Sequence, residues 1–258
     1  MTEQPVLTSL TEGILTITLN RPGQRNAVDR PTANALRRAF TECEENEAVK
    51  VAVLTGAGGN FCAGADLTAL DDPDRRNEID PHGTGHGPMG PTRMQLSKPV
   101  IAAVSGYAVA GGLELALMCD MRVADSSAVF GVFCRRWGVP LIDGGTVRLP
   151  RTVGHGHAMD MILTGRPVPA DEALTMGLAN RVVPEGTALD AALDLARTIA
   201  GFPQRCLLAD RASAIRQWDL STRDALATEG AAGYPVVFEE AIAGARKFKA
   251  GAGRHGQF

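Results

Sequence analysis

The sequence predicts an α/β fold. Three observations carry that expectation: short β-branched runs at residues 49–54 and 100–104 that close on glycine-rich turns, an amphipathic segment at residues 31–45, and a succession of helical patterns beyond about Gly154. Buried strands that end in glycine turns and are followed by helices are the signature of βα crossover units in a parallel sheet. With 258 residues, 45% of them hydrophobic and 21% charged, the chain is long enough for one large α/β domain or two small ones and lies outside the disordered and fibrous ranges.

Ile14–Leu19 alternates as a strand and runs into the turn Arg21-Pro22-Gly23. Ala33, Leu36, Phe40 and Cys43 then recur at three- and four-residue intervals, which predicts a helix with one apolar face. The next two strands end in Thr55-Gly56-Ala57-Gly58-Gly59 and in Ser105-Gly106. Residues 99–118 are nearly apolar and long enough to span a bilayer, but Gly106, Gly111, Gly112 and Glu114 interrupt them, so they read as a buried strand, a turn and a buried helix at 113–118. Residues 121–124 read as a further strand, and helices are expected at 155–163, 170–177, 189–199, 207–218 and 222–228. Residues 71–91, rich in Asp, Pro, Gly, Arg and His without periodicity, read as a loop or a loosely held helix.

Twenty-six Lys and Arg against 29 Asp and Glu leave a formal charge of −3, which disfavours a nucleic-acid partner. Cys43, Cys62, Cys119, Cys134 and Cys206 are odd in number and lack metal-ligand spacing, as expected of a reduced intracellular protein. The first residues show no basic stretch leading into an apolar run, so no secretory signal is expected and the cytoplasm is the expected location.

Two glycine-rich loops follow buried strands. The first, Gly56 to Leu67, has neither the spacing of a dinucleotide site nor the Gly-Lys-Ser/Thr of a phosphate loop. The second, Gly106 to Glu114, opens a helix, where unpaired N–H groups and the positive end of the dipole point outward. Two such loops side by side could aim two N–H groups at one oxyanion, each contributing about 2.7–4 kcal/mol to a transition state. Glu114, one turn beyond Gly111, would add a carboxylate for proton abstraction beside a carbonyl. The bland alternative is that the glycines only make turns and that Glu114 complements the helix dipole.

The strings Asn60-Phe61-Cys62-Ala63-Gly64-Ala65-Asp66-Leu67, Lys98 through Ala116, and Asp143-Gly144-Gly145-Thr146-Val147-Arg148-Leu149-Pro150 closely resemble the crotonase family, also called the enoyl-CoA hydratase/isomerase family, and Arg21-Pro22 followed by Asn26-Ala27 resembles its N-terminal motif. The resemblance implies a spiral of ββα units over about residues 1–200 and a helical trimerisation region over 201–258. It further implies acyl-CoA thioester substrates, with CoA arriving as part of the substrate and no separate cofactor or metal. The N–H groups of Ala65 and Gly111 would form the oxyanion hole, and Arg25, Ala27, Ala63, Asp66 and Leu67 would line the CoA site. Phe248 would reach a neighbouring subunit's ligand in a homotrimer or a dimer of trimers.

One departure matters for the chemistry. Family hydratases carry a second glutamate about twenty residues after the one matching Glu114, whereas here Phe130-Gly131-Val132-Phe133 leads to Cys134. A thiol with an ordinary pKa of about 8.5 is no simple replacement and reads as a pocket-wall residue. Asp143, nine positions on, resembles an aspartate of the dienoyl-CoA isomerase branch, and otherwise serves as a turn residue. Hydratase chemistry through Glu114 is the leading expectation, double-bond isomerisation by Glu114 and Asp143 the alternative. A non-catalytic acyl-CoA-binding protein is the alternative from another class, separable by its lack of turnover.

Overall fold

A computed structural model describes residues 4–253. The chain divides into two compact units at the Ile199–Ala200 boundary. In the first, β1 (Val6–Thr11) and β2 (Ile14–Leu19) form an antiparallel hairpin whose two turn residues, Glu12 and Gly13, both have positive φ, as the twist-matched two-residue turn requires. Next come α1 (Arg30–Glu45), β3 (Val51–Gly56), β4 (Val100–Val104), β5 (Tyr107–Val109), α2 (Gly111–Met118), β6 (Met121–Asp125) and β7 (Val129–Gly131). The unit closes with α3 (Gly145–Val153), α4 (His155–Thr164), β8 (Val168–Pro169), α5 (Ala170–Thr175), β9 (Arg181–Val183) and most of α6 (Ala188–Gly201).

Six strands pair in the order β1-β2-β3-β4-β6-β9, parallel throughout except for the first hairpin, and a second sheet pairs β5-β7-β8. β3 and β4 are buried along nearly their whole length, which is why they read as continuous apolar runs rather than alternating ones. Helix α1 starts where the Asp29 carboxylate accepts the Thr32 N–H at 3.2 Å with Pro31 in the first turn, and it buries Ala33, Leu36, Phe40 and Cys43. Each large apolar side chain so buried contributes about 1.5–3 kcal/mol.

The elements expected from periodicity are present, and β4-α2-β6 is the anticipated parallel crossover. The short strands β1, β5, β7, β8 and β9 carry no periodic signal of their own, and helix α3 is not among the expected elements although it buries Leu149 and Val153 one turn apart. The expected loop at 71–91 has no regular helix or strand, but its last part is buried: Met89 is 1% exposed, and the Asn77 side-chain amide donates to the Pro88 carbonyl at 2.8 Å.

In the second unit, α7 (Gln204–Arg216) is capped by the Glu240 carboxylate, which accepts the N–H groups of Arg205 and Cys206. Helix α8 (Thr222–Val236) runs well past the expected end at 228 despite Pro235, because a π-helical turn at Val237–Ala241 follows the proline and leads into α9 (Ile242–Lys249). None of α7, α8 and α9 buries a side chain; Leu226, Tyr234 and Phe238 are 62%, 68% and 58% exposed. No helix among the described residues is long and apolar enough to cross a membrane.

Candidate active site

Parallel pairing of β3 with β4 sends both glycine-rich loops out of the same sheet edge. The first loop then runs beside β5: Cys62 N–H donates to the Tyr107 carbonyl at 2.8 Å, and Val109 N–H donates to the Cys62 carbonyl at 3.1 Å. Two parallel segments that start level end level, so Ala65 and Gly111 arrive at one place. A Cβ on Gly64, at φ 98°, would lie 3.1 Å from the Gly111 nitrogen and 2.9 Å from the Ala110 Cβ; only glycine permits this approach.

Among the described residues, neither Ala65 N–H nor Gly111 N–H donates to a protein acceptor. Gly111 is the first residue of α2, so its N–H is one of the helix's unpaired donors and stands at the positive end of the dipole. Ala110 before it has φ 54° and ψ −125°, a conformation costing about 1–3 kcal/mol, and it is held there by its N–H bond to the Gly131 carbonyl at 2.9 Å.

Glu114 follows on α2 and is 2% exposed. Its Oε1 accepts the N–H groups of Asp143 and Gly145, each at 2.8 Å. Gly145 must be glycine for this: a Cβ there would sit 2.9 Å from both Cγ and Oε1 of Glu114. Oε2 has no partner among the described residues and faces a cavity of about 420 Å³ lined also by Ala65, Gly111, Cys134 and Asp143. Burial, reinforced by the neighbouring Asp143 carboxylate, pushes the Glu114 carboxyl up to about 7, against the opposing pull of the two N–H bonds and Arg148. Such a carboxyl exchanges protons at neutral pH, as a general base must.

Asp143 is 3% exposed, and its Oδ1 accepts the Met89 N–H at 2.9 Å and the Thr92 hydroxyl. Burial also pushes this carboxyl above the usual range, while the bonds from Thr92 and Met89 oppose the rise. Cys134, 7% exposed, lines the same cavity; burial first and the Glu114 charge second push its thiol up. Among the described residues, the cavity thus holds two buried carboxyls and a thiol, with no second glutamate.

The other expected site residues divide. Arg25, Ala63 and Leu67 line the cavity, and the exposed Arg25 guanidinium lies 5.2 Å from the centre of the Tyr107 ring. Ala27 and Asp66 are not part of the cavity wall. The Asp66 carboxylate accepts from the Thr68 N–H and hydroxyl and pairs with Arg21 at 3.0 Å and Arg75 at 3.1 Å, fastening the end of the first loop. Phe248 belongs to the second unit, where it is 60% exposed on α9. His155 and His157 are exposed at the start of α4, and no group of three His, Cys, Asp or Glu among the described residues could hold a metal ion.

Sequence reasoning missed the residues that hold the loops. Asn26, fully buried at φ 58°, donates from Nδ2 to the carbonyls of Ala57 at 2.9 Å and Asn60 at 2.6 Å and accepts the Arg21 N–H at 2.9 Å. Asn26→Ala would leave three backbone groups unpaired and put alanine in a left-handed conformation; we expect about 3 kcal/mol of destabilisation, read from urea unfolding. The one sequence signal was Asn26 within the N-terminal motif, which marks the position without its role.

Three comparisons bear on this geometry. The chain matches the family described as enoyl-CoA hydratase/isomerase over residues 9–231. It is 40% identical over 195 residues to enoyl-CoA hydratase EchA19 of Mycobacterium tuberculosis, covering 72% of this chain and 71% of that one. It is 39% identical over 220 residues to carnitinyl-CoA dehydratase of Salmonella arizonae, covering 84% and 80%. The crystal structure of enoyl-CoA hydratase EchA1 from Mycobacterium marinum superposes with a TM-score of 0.89 at 34% identity, covering 96% of each chain.

Proposed function

This chain belongs to the enoyl-CoA hydratase/isomerase family, and from that premise we propose that it hydrates an enoyl-CoA thioester with Glu114 as the base. The observation that carries the reading is the buried Glu114 carboxyl, with one oxygen clamped by two N–H groups and the other open to a cavity shared with the free Ala65 and Gly111 amides. The thioester oxygen accepts from those two amides. Glu114 takes a proton from water as the water oxygen bonds to the β-carbon, and the displaced electron pair moves through the α-carbon onto the thioester oxygen as an enolate. Glu114 passes the proton it took from water to Asp143, which delivers it to the α-carbon and so leaves both carboxylates as they began. Adding water involves no net oxidation or reduction, so the reading assigns no cofactor beyond the CoA of the substrate.

Arg25, Ala63 and Leu67 form the CoA end of this site, with Ala27 and Asp66 supporting its backbone from behind. The exposed apolar side chains of α8 and the neighbouring π-helical turn support assembly into a homotrimer or a dimer of trimers, with Phe248 reaching a neighbour's ligand. A cytoplasmic location completes the reading.

The thiol at 134 beside two buried carboxyls favours one second reading, proton transfer by Glu114 and Asp143 that shifts a double bond without adding water. Incubating the protein with a panel of enoyl-CoA thioesters in deuterated water separates the two. Hydration adds a deuteroxyl at the β-carbon and deuterium at the α-carbon; isomerisation leaves the product's formula unchanged apart from exchange. We expect hydration, slowed about tenfold in Asp143→Asn as one proton-transfer group is lost. Binding of the thioesters with no product in either form overturns both readings.

A further inference from the structure

The clamp on Glu114 depends on Arg148. The Arg148 guanidinium, in the first turn of α3, donates to the Asp143 carbonyl at 3.0 Å from Nη1 and to the Thr92 carbonyl at 2.7 Å from Nη2. It fits beneath the backbone at residue 144 because that residue is glycine; a Cβ there would lie 2.2 Å from Nη1. A cation at the start of a helix sits at the wrong end of the dipole, so helix stability does not account for it.

These bonds close a ring. Arg148 grips Thr92 and Asp143, the Thr92 hydroxyl grips the Asp143 carboxylate, and Asp143 and Gly145 hold Glu114 through their N–H groups. The same Asp143 carboxylate holds the Met89 N–H, and the Met89 side chain packs where a Cβ on Gly111 would be, 2.7 Å from its sulfur. Base and oxyanion donor are therefore tied to one bracket. On the reading of Glu114 as base, we infer that Arg148 is a positioning residue, fastening the turn whose two N–H groups aim that carboxyl into the cavity.

Among the described residues, three titratable or charged groups face Glu114: Asp143 from the turn before α3, Cys134 from the short helical segment after β7, and Arg148 from α3. Burial and Asp143 push the Glu114 carboxyl up, while Arg148 and the two N–H bonds hold it down. Cys134 is a neutral thiol at the working pH, since burial and Glu114 raise it. Removing the Arg148 charge loosens the clamp and withdraws the only cation among the three.

The test compares Arg148→Met and Arg148→Lys in the wild-type and Glu114→Gln backgrounds, with crotonyl-CoA as the probe. The Glu114 carboxyl is followed by 13C NMR titration, taking the difference from Glu114→Gln to identify its signal. Arg148→Met should raise the Glu114 midpoint by about one pH unit, whereas Arg148→Lys, which keeps the charge but not the fork, should raise it less. Both variants should lose at least about tenfold in kcat with KM little changed, because a lysine cannot grip two carbonyls as a fork, and neither should lose more in the Glu114→Gln background.

A folded Arg148→Met with an unmoved midpoint overturns the inference, as does wild-type kcat in either variant or an equal loss with and without Glu114. Should Arg148→Met fail to fold, Arg148→Lys decides it through kcat alone. If the wild-type protein does not turn over crotonyl-CoA while the midpoint still moves in Arg148→Met, the choice of substrate has failed and the bracket stands.

Discussion

Glu114→Gln is expected to lower kcat by about 10²–10⁴-fold while leaving acyl-CoA binding nearly intact, because it removes the base and keeps the shape. The same variant should be more stable than the wild type at pH 8. In the folded protein the carboxyl titrates at about 7 rather than at its ordinary 4.5, so folding holds that proton more tightly than the unfolded chain does. Below pH 4.5 both states are protonated and the group costs nothing. Between 4.5 and 7 stability falls as pH rises, and above 7 the full cost of about 3 kcal/mol is present. Glutamine escapes that cost and can still accept the two N–H bonds, so its melting temperature should rise by about 5–10 °C at pH 8 and by almost nothing at pH 4.5. In the wild-type enzyme, hydration should fall as pH drops through about 7, and the variant's residual rate should lack that limb. Calorimetry across the pH range and initial rates check both halves; unchanged kcat would remove Glu114 from the mechanism. A gain in stability bought by a loss of function is what a buried working carboxyl implies.

Gly111→Pro should lower kcat by about 10²–10³-fold by deleting one of the two oxyanion donors. Proline is tolerated in the first position of a helix, which makes this backbone deletion feasible. Its ring displaces the Met89 side chain, whose sulfur would lie 2.7 Å from the new Cβ and which can swing aside. The loss should appear in kcat and hardly at all in the affinity for free CoA, which has no thioester oxygen to place. Equal losses in both, measured by initial rates and by calorimetric titration with CoA, would mean that the variant had disturbed the cavity as a whole rather than one donor.

Much of the fold was legible because its signals are local. The three- and four-residue spacing of Ala33, Leu36, Phe40 and Cys43 defines a buried helix face, and the β-branched runs before Gly56 and Gly106 define strands enclosed on both sides. Strands of two or three residues such as β5, β7 and β8 are too short to show a period, and α3 starts at Gly145 directly after Gly144 and contains Pro150, residues that mark turns rather than a helix. Helix α8 runs beyond the expected end at residue 228 because a π-helical turn absorbs Pro235.

From the chain alone came an α/β fold, the family, and the pairing of Glu114 with two glycine-rich loops, since residue type and spacing encode local backbone conformation and which face is buried. Tertiary structure alone decided that residues 61–65 lie level with β5 and so bring Ala65 to Gly111, that Asp66 faces Arg21 and Arg75, and that Asp143, Thr92 and Arg148 close a bracket around Glu114. Most of those contacts join segments tens of residues apart through single hydrogen bonds, ion pairs and close approaches at glycine, which leave no periodic trace in the sequence.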